Sequence, residues 1–584
     1  MRKKHFLFAS VLALLCGSSA LHAQDFKLTS SGYFKNQGVD IMAFDDIYPE
    51  GHQGGVCIIM NGHRVATNGD IRLEATPGQW QPVPKQLDRK LGDNSITATL
   101  CYPDSSRHLT GFNPMIYPDL HLIYTVNVES KGKNIEVTVD LDRPIPQEFI
   151  GKVGFNLEFF PGSLFGKPWI MDGQSGIFPQ QPNSPLMTTQ PNYLHTGNYH
   201  DGKKSLADMD KLIGKGYSPI VADDIISEPY AKGTKFTSRP DDPYNKVTIE
   251  SLSGDLQLFD GRMNHNNGWF VLRSNIKPGV TKGAVKWIIT PNVVADWMYQ
   301  PVIQTSQIGY HPAQDKEAVI EMDIRDNRKE TAQIIRIDAD GEKVVKNVTP
   351  ANWGKFLRYN YLKVNFTDVK EPGLDKIKYN PSGSPTFRID NAVYARGVWQ
   401  PVLEYFLPVQ MCHMRVNEKY RVWHDCCHMD DAQMAPAHNH IDGYDQKEGL
   451  SKFKPGEVVP GVNIGGWHDA GDFDLRIESQ AGESYILALA YEAFHPNLDV
   501  TSIDQINRVT EIHQPDGKND LLQQVENGAL TVVNGYLALG RLYRGIICND
   551  LRQYVLLGDA AAMTDGKIGN EDDRWIFTED NPGR

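Results

Sequence analysis

Two carboxylates separated by two small residues are the first candidates for chemistry in this chain. Asp469 and Asp472 flank an Ala-Gly pair, so a tight turn can point both side chains the same way. Such a pair can hold one water molecule between two acceptors and remove its proton. The alternative is that both residues belong to the N-terminal cap of a following helix, and spacing alone favours this alternative. The spacing therefore identifies a candidate base without deciding its role.

Thiol and imidazole side chains form a second candidate site. Two sulfur and two nitrogen ligands suit tetrahedral zinc, and four protein ligands leave no open position, so such a metal would be structural. It would hold the segment that carries Asp469 in place. The four predicted ligands are Cys412, Cys427, His428 and His468.

This cysteine and histidine cluster has other interpretations. Cys412 could be a buried free thiol, a disulfide could involve Cys426, and the histidines could be solvated. The chain also offers substitute ligands in His413, His424 and Cys426. Zinc is the favoured interpretation because His468 directly precedes Asp469 and so links the metal to the carboxylate pair.

The eight residues Gly465-Gly466-Trp467-His468-Asp469-Ala470-Gly471-Asp472 resemble the water-activating motif of glycoside hydrolase family 9. The resemblance implies that Asp472 is the catalytic base and that Asp469 helps to position the water. It also supports the zinc site, since several family 9 enzymes have ligands in a Cys, Cys-His and His layout. The continuation through Phe473 to Arg476 departs from the pattern common in the family.

The function that this resemblance implies is inverting hydrolysis of β-1,4-glucosidic bonds in a plant-type β-glucan, such as cellulose, xyloglucan or mixed-linkage glucan. An inverting site needs a second carboxyl group as general acid, roughly 6.5 to 9.5 Å from the base. Asp469 and Asp472 share one turn, so neither can be this acid for the other. In the family the acid is a Glu late in the catalytic domain, and we expect it to be missing from this chain. The alternative is a non-catalytic glucan-binding or scaffold protein.

Further side chains are candidates for substrate or cation binding. Trp467 and Trp423 are the aromatic residues that we expect nearest the glucan, although each could instead lie in the core. The acidic runs at Asp430-Asp431 and at 571–573 are interpreted as solvated faces, although either could bind calcium.

The elements that must position these residues fall into three predicted regions. Residues 24–300 alternate between apolar and polar side chains in short runs, which predicts a β-sandwich accessory domain. Residues 301–389 predict a second β-sandwich, with a hairpin turn at Asp340-Gly341, and resemble the immunoglobulin-like module that precedes many family 9 catalytic domains.

The third region, residues 390–584, has apolar residues at helical spacing. We expect a helix over Val393–Met411, another over Gly482–Phe494, and two more within Leu521–Tyr543. The resemblance to family 9 implies that these helices form the N-terminal part of an (α/α)6 barrel. The predicted fold class is therefore a multidomain β plus α protein.

The net charge and the N-terminal residues limit the possible partners and the location of the protein. The net charge of −13 argues against nucleic acid, and the 10% of aromatic residues fit a neutral polysaccharide or oligosaccharide. Residues 1–23 read as a signal peptide, which predicts a periplasmic or secreted protein without a membrane span. A lipid anchor on Cys16 is disfavoured, because Leu15 stands where that processing needs a small residue. The sequence does not define an oligomeric state.

Overall fold

The chain folds mainly into β-sheets, which form several sandwich-like units. The computed structural model describes residues 25–45, 54–78, 84–102, 120–185, 187–189, 225–263, 268–356, 358–439, 445–447, 449–469, 473–547 and 574–578. The predicted signal peptide lies outside these residues, so export stays a prediction. In the part of the chain that the structure describes, no helix is long and apolar enough to cross a membrane.

Two nine-stranded antiparallel sheets form the N-terminal sandwich. The first sheet contains, in spatial order, Lys27–Leu28, Phe34–Asn36, Val39–Ala43, Val56–Met60, His63–Leu73, Val153–Phe159, Phe270–Asn275, Leu256–Asp260 and Ala231–Gly233. The second contains Gln174–Ile177, Pro168–Met171, Lys235–Ser238, Val247–Ser251, Val285–Pro291, Asn134–Leu141, Ile123–Lys131, Ser95–Cys101 and Lys85–Leu91. A small hairpin pairs Met187–Thr189 with Ile225–Ser227.

Alternating side chains fill the space between these two sheets. Along Ile123–Lys131, every second residue from Tyr124 is buried, as the pattern of apolar residues predicts. The ring of Trp287 meets the ring of Phe155 edge-on across the core, with 5.0 Å between centroids. One continuous apolar core therefore supports the N-terminal sandwich.

A second, smaller sandwich follows, with its own apolar core. Its four-stranded sheet contains Val302–Gln304, Glu317–Asp323, Tyr359–Asn365 and Ala351–Phe356. Its five-stranded sheet contains Gly341–Val348, Ala332–Asp338, Gly373–Tyr379, Ser382–Gly383 and Phe387–Ile389. The predicted hairpin turn is confirmed, because Asp338 pairs with Gly341 at its closed end.

The C-terminal region does not show the predicted helical barrel. Among its described residues two α-helices exceed ten residues, Ile477–Phe494 and Asp520–Leu539, and they pack mainly against each other, with small sheets beside them. The sheet strands are Arg421–His424, Arg415–Glu418, Val509–Ile512 and Thr501–Asp504 in one group, and Gln433–Met434, Trp575–Phe577, Gly545–Ile547 and Leu475–Arg476 in another. A short pair joins His438–Asn439 to Asp445–Gln446.

Backbone preferences explain where the predicted helices were wrong. Of the helix predicted over Val393–Met411, only residues 400–410 are helical, with a π-helical turn over Val402–Phe406 that continues into the short helix Leu407–Gln410. Gly397 has a φ of 76°, which lies outside the helical region, so the helix does not extend across it. In the last predicted stretch a single helix ends at Gly540, whose φ of 74° closes it.

A buried ion pair braces the first sheet of the N-terminal sandwich. Arg273 lies 3.2 Å from the Glu74 carboxylate and donates to the backbone carbonyls of Glu74 and Lys152 at 2.9 and 3.0 Å. Asn156 donates to the same carboxylate at 2.6 Å. Burial raises the pKa of Glu74 to about 7, against the lowering effect of the Arg273 charge.

We predict that Arg273→Met destabilises the N-terminal sandwich by about 3 to 5 kcal/mol at pH 8, because it leaves a buried carboxylate without its charge partner. Lys282→Met is the matched control, since Lys282 pairs with Asp140 at 3.0 Å but is 80% exposed. Its effect should stay below about 1 kcal/mol. Denaturant unfolding of both variants measures the difference, and equal effects would contradict the structural role of Arg273.

Candidate metal centre and carboxylate turn

A short stretch of antiparallel backbone pairing brings two distant segments of the site together. Met411 and Trp467 form a bridge, the Cys412 N–H donates to the Gly466 carbonyl at 2.9 Å, and the His468 N–H donates to the Gln410 carbonyl at 2.8 Å. The side chains of Cys412 and His468 are therefore placed side by side by main-chain hydrogen bonds.

The four predicted ligands meet at one point. Their ligand atoms all lie within 4.8 Å of one another, and all four residues are buried. The Cys412 and Cys427 sulfurs are 3.4 Å apart, too far for a disulfide, whose S–S bond is about 2.05 Å. The Cys412 sulfur lies 3.0 Å from His428 Nδ1, and the Cys427 sulfur lies 3.2 Å from His468 Nε2.

These separations fit a metal with little adjustment. Bond lengths of about 2.3 Å to sulfur and 2.0 to 2.1 Å to nitrogen place tetrahedral zinc ligands roughly 3.3 to 3.8 Å apart. The observed distances are shorter by a few tenths of an ångström, so a small expansion of the cluster would admit the ion. Cys412, Cys427, His428 and His468 could therefore hold a metal.

Protonation states also suit metal binding at His428. Burial lowers the pKa of His428 well below its usual range, and the positive charge of Arg574 lowers it further. A neutral ring is the form that binds metals. Its other nitrogen, Nε2, lies 3.7 Å from the Asp431 carboxylate, which is too far for a direct hydrogen bond between the two.

The two thiols differ in their environment. Burial raises the pKa of Cys412 well above the usual range. Burial also acts to raise the pKa of Cys427, but hydrogen bonds from the Cys412 thiol and the His468 ring lower it below the usual range. Cys427 is thus the thiol that is more readily held as a thiolate.

The three possible substitute ligands face other partners. His413 Nδ1 donates to the Gly465 carbonyl at 2.9 Å. Both ring nitrogens of His424 face backbone carbonyls, at 2.8 and 3.0 Å. The partly exposed Cys426 sulfur lies 3.9 Å from the Arg508 carbonyl. The structure therefore gathers the four predicted ligands and leaves these three outside that group.

The interpretation of Asp430-Asp431 as a solvated face is wrong. Asp430 is 8% exposed and Asp431 is 3% exposed. Asp431 faces His428, so it belongs to the surroundings of the Cys/His cluster and not to an exposed calcium site. The acidic run at 571–573 lies outside the described residues.

The segment from Asp469 to Asp474, which the motif predicts to be a turn and which we call the carboxylate turn, starts directly after the ligand His468. The Asp469 N–H donates to the Asp474 carbonyl at 3.0 Å. The Asp469 carboxylate lies 3.1 Å from Arg476 Nε. The same guanidinium contacts the Asp474 carboxylate at 3.2 Å, and Asp474 lies 3.6 Å from buried Arg574. Alternating charges thus tie Asp469 to the interior.

Asp472, the predicted base, lies outside the described residues. The helix-capping alternative for this carboxylate pair is nevertheless tested by the helix itself. The helix begins at Ile477, and its N-cap position is occupied by Arg476, without a side-chain cap. Asp469 is paired with Arg476 instead of the helix N-terminus, so the capping interpretation of Asp469 is wrong.

The two glycines that begin the motif serve close packing. Gly465 and Gly466 have φ angles of 68° and 87°, which favour glycine. A Cβ on Gly465 would come within 2.3 Å of the Asn527 carbonyl, and one on Gly466 within 2.5 Å of Leu475. These residues hold the ligand segment against the helix Asp520–Leu539.

The structure corrects the expected role of Trp467. Its side chain is 1% exposed and its ring packs where a Cβ on Gly528 would come within 2.4 Å. Its indole N–H donates to Gln524 at 2.8 Å, and Gln480 binds its backbone N–H and carbonyl at 2.8 and 2.9 Å. Trp467 is a core residue and not a surface on which a sugar can stack.

Trp423 is the more accessible of the two predicted substrate contacts. It is partly exposed and packs edge-on against Tyr405, with 5.4 Å between ring centroids. Arg421 lies over the indole at 4.7 Å from its centroid. Its contact with a glucan stays a prediction.

Sequence reasoning missed several charged residues around the carboxylate turn. Asp474 and Arg476 lie two and four residues after the motif. Their charges, so close to the two predicted carboxylates, were the sequence feature that could have indicated them. Glu483, on the helix Ile477–Phe494, was also missed. Desolvation raises the pKa of the Glu483 carboxyl, and the nearby negative charge of Asp469 raises it further. Arg574 joins the group from a distant part of the sequence, so no local pattern could indicate it.

The chain is similar to solved structures of family 9 proteins over less than half of its length. No known protein family and no curated protein matches the sequence. Among solved structures, a zinc-binding triple mutant of the family 9 endoglucanase J30 matches with 20% identity, a TM-score of 0.30, and coverage of 46% of this chain and 44% of the other. A family 9 protein from Bacteroides ovatus matches with 18% identity, a TM-score of 0.32, and coverage of 48% and 45%.

A third match, of a different kind, is the protein Slr1438 from Synechocystis sp. PCC 6803, with 10% identity, a TM-score of 0.22, and coverage of 50% of this chain and 100% of the other. The chain spans less than half the length of the family 9 structures that it matches. All of these TM-scores lie below 0.5, so the likenesses do not establish the fold or the family of this chain.

We predict an acid-dependent loss of stability from His413. Burial lowers the pKa of this residue from 6.5 to about 4, so the folded chain keeps its ring neutral where the unfolded chain binds a proton. This contribution is complete above pH 6.5 and is lost as the pH falls towards 4, by at most about 3 kcal/mol. In His413→Asn, which suits the φ of 61° at this position, the free energy of unfolding should change less over this range.

The measurement is denaturant unfolding of both proteins at several pH values between 4 and 7, with metal chelated so that metal release does not contribute. Identical pH dependence in the two proteins would show that His413 does not titrate in this way.

Proposed function

We propose that this chain carries the base half of an inverting hydrolase site for β-1,4-linked glucan, such as cellulose, xyloglucan or mixed-linkage glucan. The observation that carries the proposal is the adjacency of the predicted ligand His468 and the predicted water-positioning residue Asp469. The first belongs to a buried Cys/His cluster, and the second is fixed by Arg476 at 3.1 Å. A single eight-residue motif thus supplies both the anchor and the carboxylate turn.

The proposed chemistry follows from the roles of the two carboxylates. Asp472 removes a proton from a water molecule as its oxygen attacks the anomeric carbon. Asp469 accepts the second hydrogen bond of that water, and the Arg476 guanidinium keeps the Asp469 carboxylate in one orientation. We assign no described residue to the general acid, which must lie roughly 6.5 to 9.5 Å from the base.

We further propose that the Cys/His cluster binds one structural zinc ion. Its two sulfurs and two nitrogens complete a tetrahedral set, so no position is open for water or substrate. Its function would be to join the segments 410–412, 427–428 and 466–468, and so to fix the start of the carboxylate turn. A zinc hydrolase is disfavoured by the same closed set.

We predict that Cys427→Ala lowers the zinc content from one equivalent per chain to near zero and lowers the melting temperature by several degrees, because structural zinc contributes directly to folding. Cys426→Ala is the matched control, since it changes the neighbouring, partly exposed cysteine. Elemental analysis and thermal melting measure both quantities. Unchanged zinc content and melting in Cys427→Ala would refute the zinc proposal.

We predict that Asp472→Asn lowers glucan hydrolysis by about 100-fold or more in a version of the chain that also carries the general acid, because the amide cannot accept a proton from water. Asp338→Asn, in the hairpin of the small sandwich, should leave the rate unchanged. Release of reducing ends from soluble β-glucans measures both. Unchanged turnover in Asp472→Asn would remove the base assignment. The parent chain, from which we expect the general acid to be missing, should show little turnover by itself, and robust Asp472-dependent turnover would overturn that expectation.

A further inference from the structure

A row of aromatic rings crosses the outer face of the four-stranded sheet in the small sandwich. Neighbouring ring centroids are 6.3, 5.1, 6.2 and 5.6 Å apart along the row. The five rings, in order, are those of Trp297, Tyr299, Tyr359, Tyr361 and Trp353, and we call them the aromatic track.

The strand register places most of these rings on the side of the sheet that faces away from the core. In Tyr359–Asn365, Tyr359 and Tyr361 alternate with the buried Asn360 and Leu362. Tyr361 pairs with Glu321 of the neighbouring strand, which also points outward. The outer face of an antiparallel sheet is normally polar, so these rings need an explanation other than the core.

The free end of the track is open to solvent. Trp353 is 57% exposed and meets Tyr361 edge-on at 90°. Phe356, on the same edge strand, is 58% exposed. Together with Val319 and Lys363 these side chains line a shallow depression of about 220 Å³. Large aromatic residues at this exposure are typical of surfaces that bind a partner.

The other end of the track enters a cleft between the N-terminal sandwich and the small sandwich. This cleft has a volume of about 470 Å³, within the usual range for ligand sites. Trp297, Tyr299 and Tyr359 line it, together with Asp40 and Arg358 from opposite sides. The track therefore runs from this cleft to the exposed aromatic surface around Trp353.

Charges beside the track are paired with one another. Glu321 accepts hydrogen bonds from the hydroxyls of Tyr299 and Tyr361 at 2.8 and 3.0 Å, which fixes both rings. The ion pairs that border the track are Lys363–Glu317 at 2.8 Å, Arg358–Asp40 at 3.1 Å and Arg325–Asp323 at 2.7 Å. These pairs favour a neutral ligand with many hydroxyl groups over an anion, because they offer hydrogen bonds without a surplus of positive charge.

We propose that the aromatic track binds an extended, neutral polysaccharide chain, whose sugar rings stack on Trp353 and Tyr361 and continue towards the cleft at Trp297. A flat sugar face can stack on the exposed ring of Trp353, while the perpendicular ring of Tyr361 contacts the chain beside it and the bordering charged groups bind hydroxyls. The track alone supports a neutral, extended polysaccharide. The choice of β-glucan as that polysaccharide rests on the proposed function.

The test is affinity electrophoresis of the full chain in gels that contain soluble β-glucans, with a neutral α-glucan as comparison. We expect retardation by a β-glucan, an increase in Kd of about 10-fold for Trp353→Ala, and a smaller increase for Trp353→Phe, which keeps a ring. Tyr420→Ala is the control, since Tyr420 is 99% exposed and lies outside the track. Unchanged thermal melting confirms folding, which is expected because Trp353 is exposed.

The outcomes separate the track from the hydrolase site. Asp472→Asn should bind as the parent does. Glucan binding by the parent, together with hydrolysis that Asp472→Asn leaves unchanged, would support the track and contradict the proposed function. Absence of retardation, or parent-like binding by a Trp353→Ala/Tyr361→Ala double variant, would overturn the track proposal. Self-association through the track would overturn it too. Sedimentation would then show a dimer that Trp353→Ala disrupts, and the parent would bind no glucan.

Discussion

The candidate site depends on the short antiparallel pairing between residues 410–412 and 466–468. Main-chain hydrogen bonds of 2.8 and 2.9 Å place Cys412 beside His468 and set where the carboxylate turn begins. Gly465 and Gly466 make the approach to the helix Asp520–Leu539 possible, and buried Trp467 anchors the paired segment. The motif therefore packs the segment against the helix Asp520–Leu539 in addition to supplying reactive groups.

The sequence predicted what depends on local pattern and ligand chemistry. Alternation along strands such as Ile123–Lys131 predicted the β regions, and the Asp340-Gly341 turn predicted a hairpin. The types of the four ligand residues predicted their cluster, because two thiols and two imidazoles are a recognisable donor set. In each of these cases the physical cause is contained in neighbouring residues or in the chemistry of the side chains.

The errors came from features that only the tertiary structure decides. Trp467 is apolar and adjacent to the carboxylates, but contacts with Gln480 and Gln524, far along the chain, bury it. Asp431 is acidic, but the fold buries it, with its carboxylate 3.7 Å from the ring of His428. The helix expected over Val393–Met411 is a local error instead, because Gly397 has a φ of 76° and only residues 400–410 are helical.

The measurement that tests the central claim most directly is X-ray absorption at the zinc edge on the purified full chain. A metal that anchors the carboxylate turn through Cys412, Cys427, His428 and His468 predicts two sulfur neighbours at about 2.3 Å and two nitrogen neighbours at about 2.0 to 2.1 Å. Zinc bound mainly by oxygen, or a Cys412–Cys427 disulfide without bound metal, would contradict the claim.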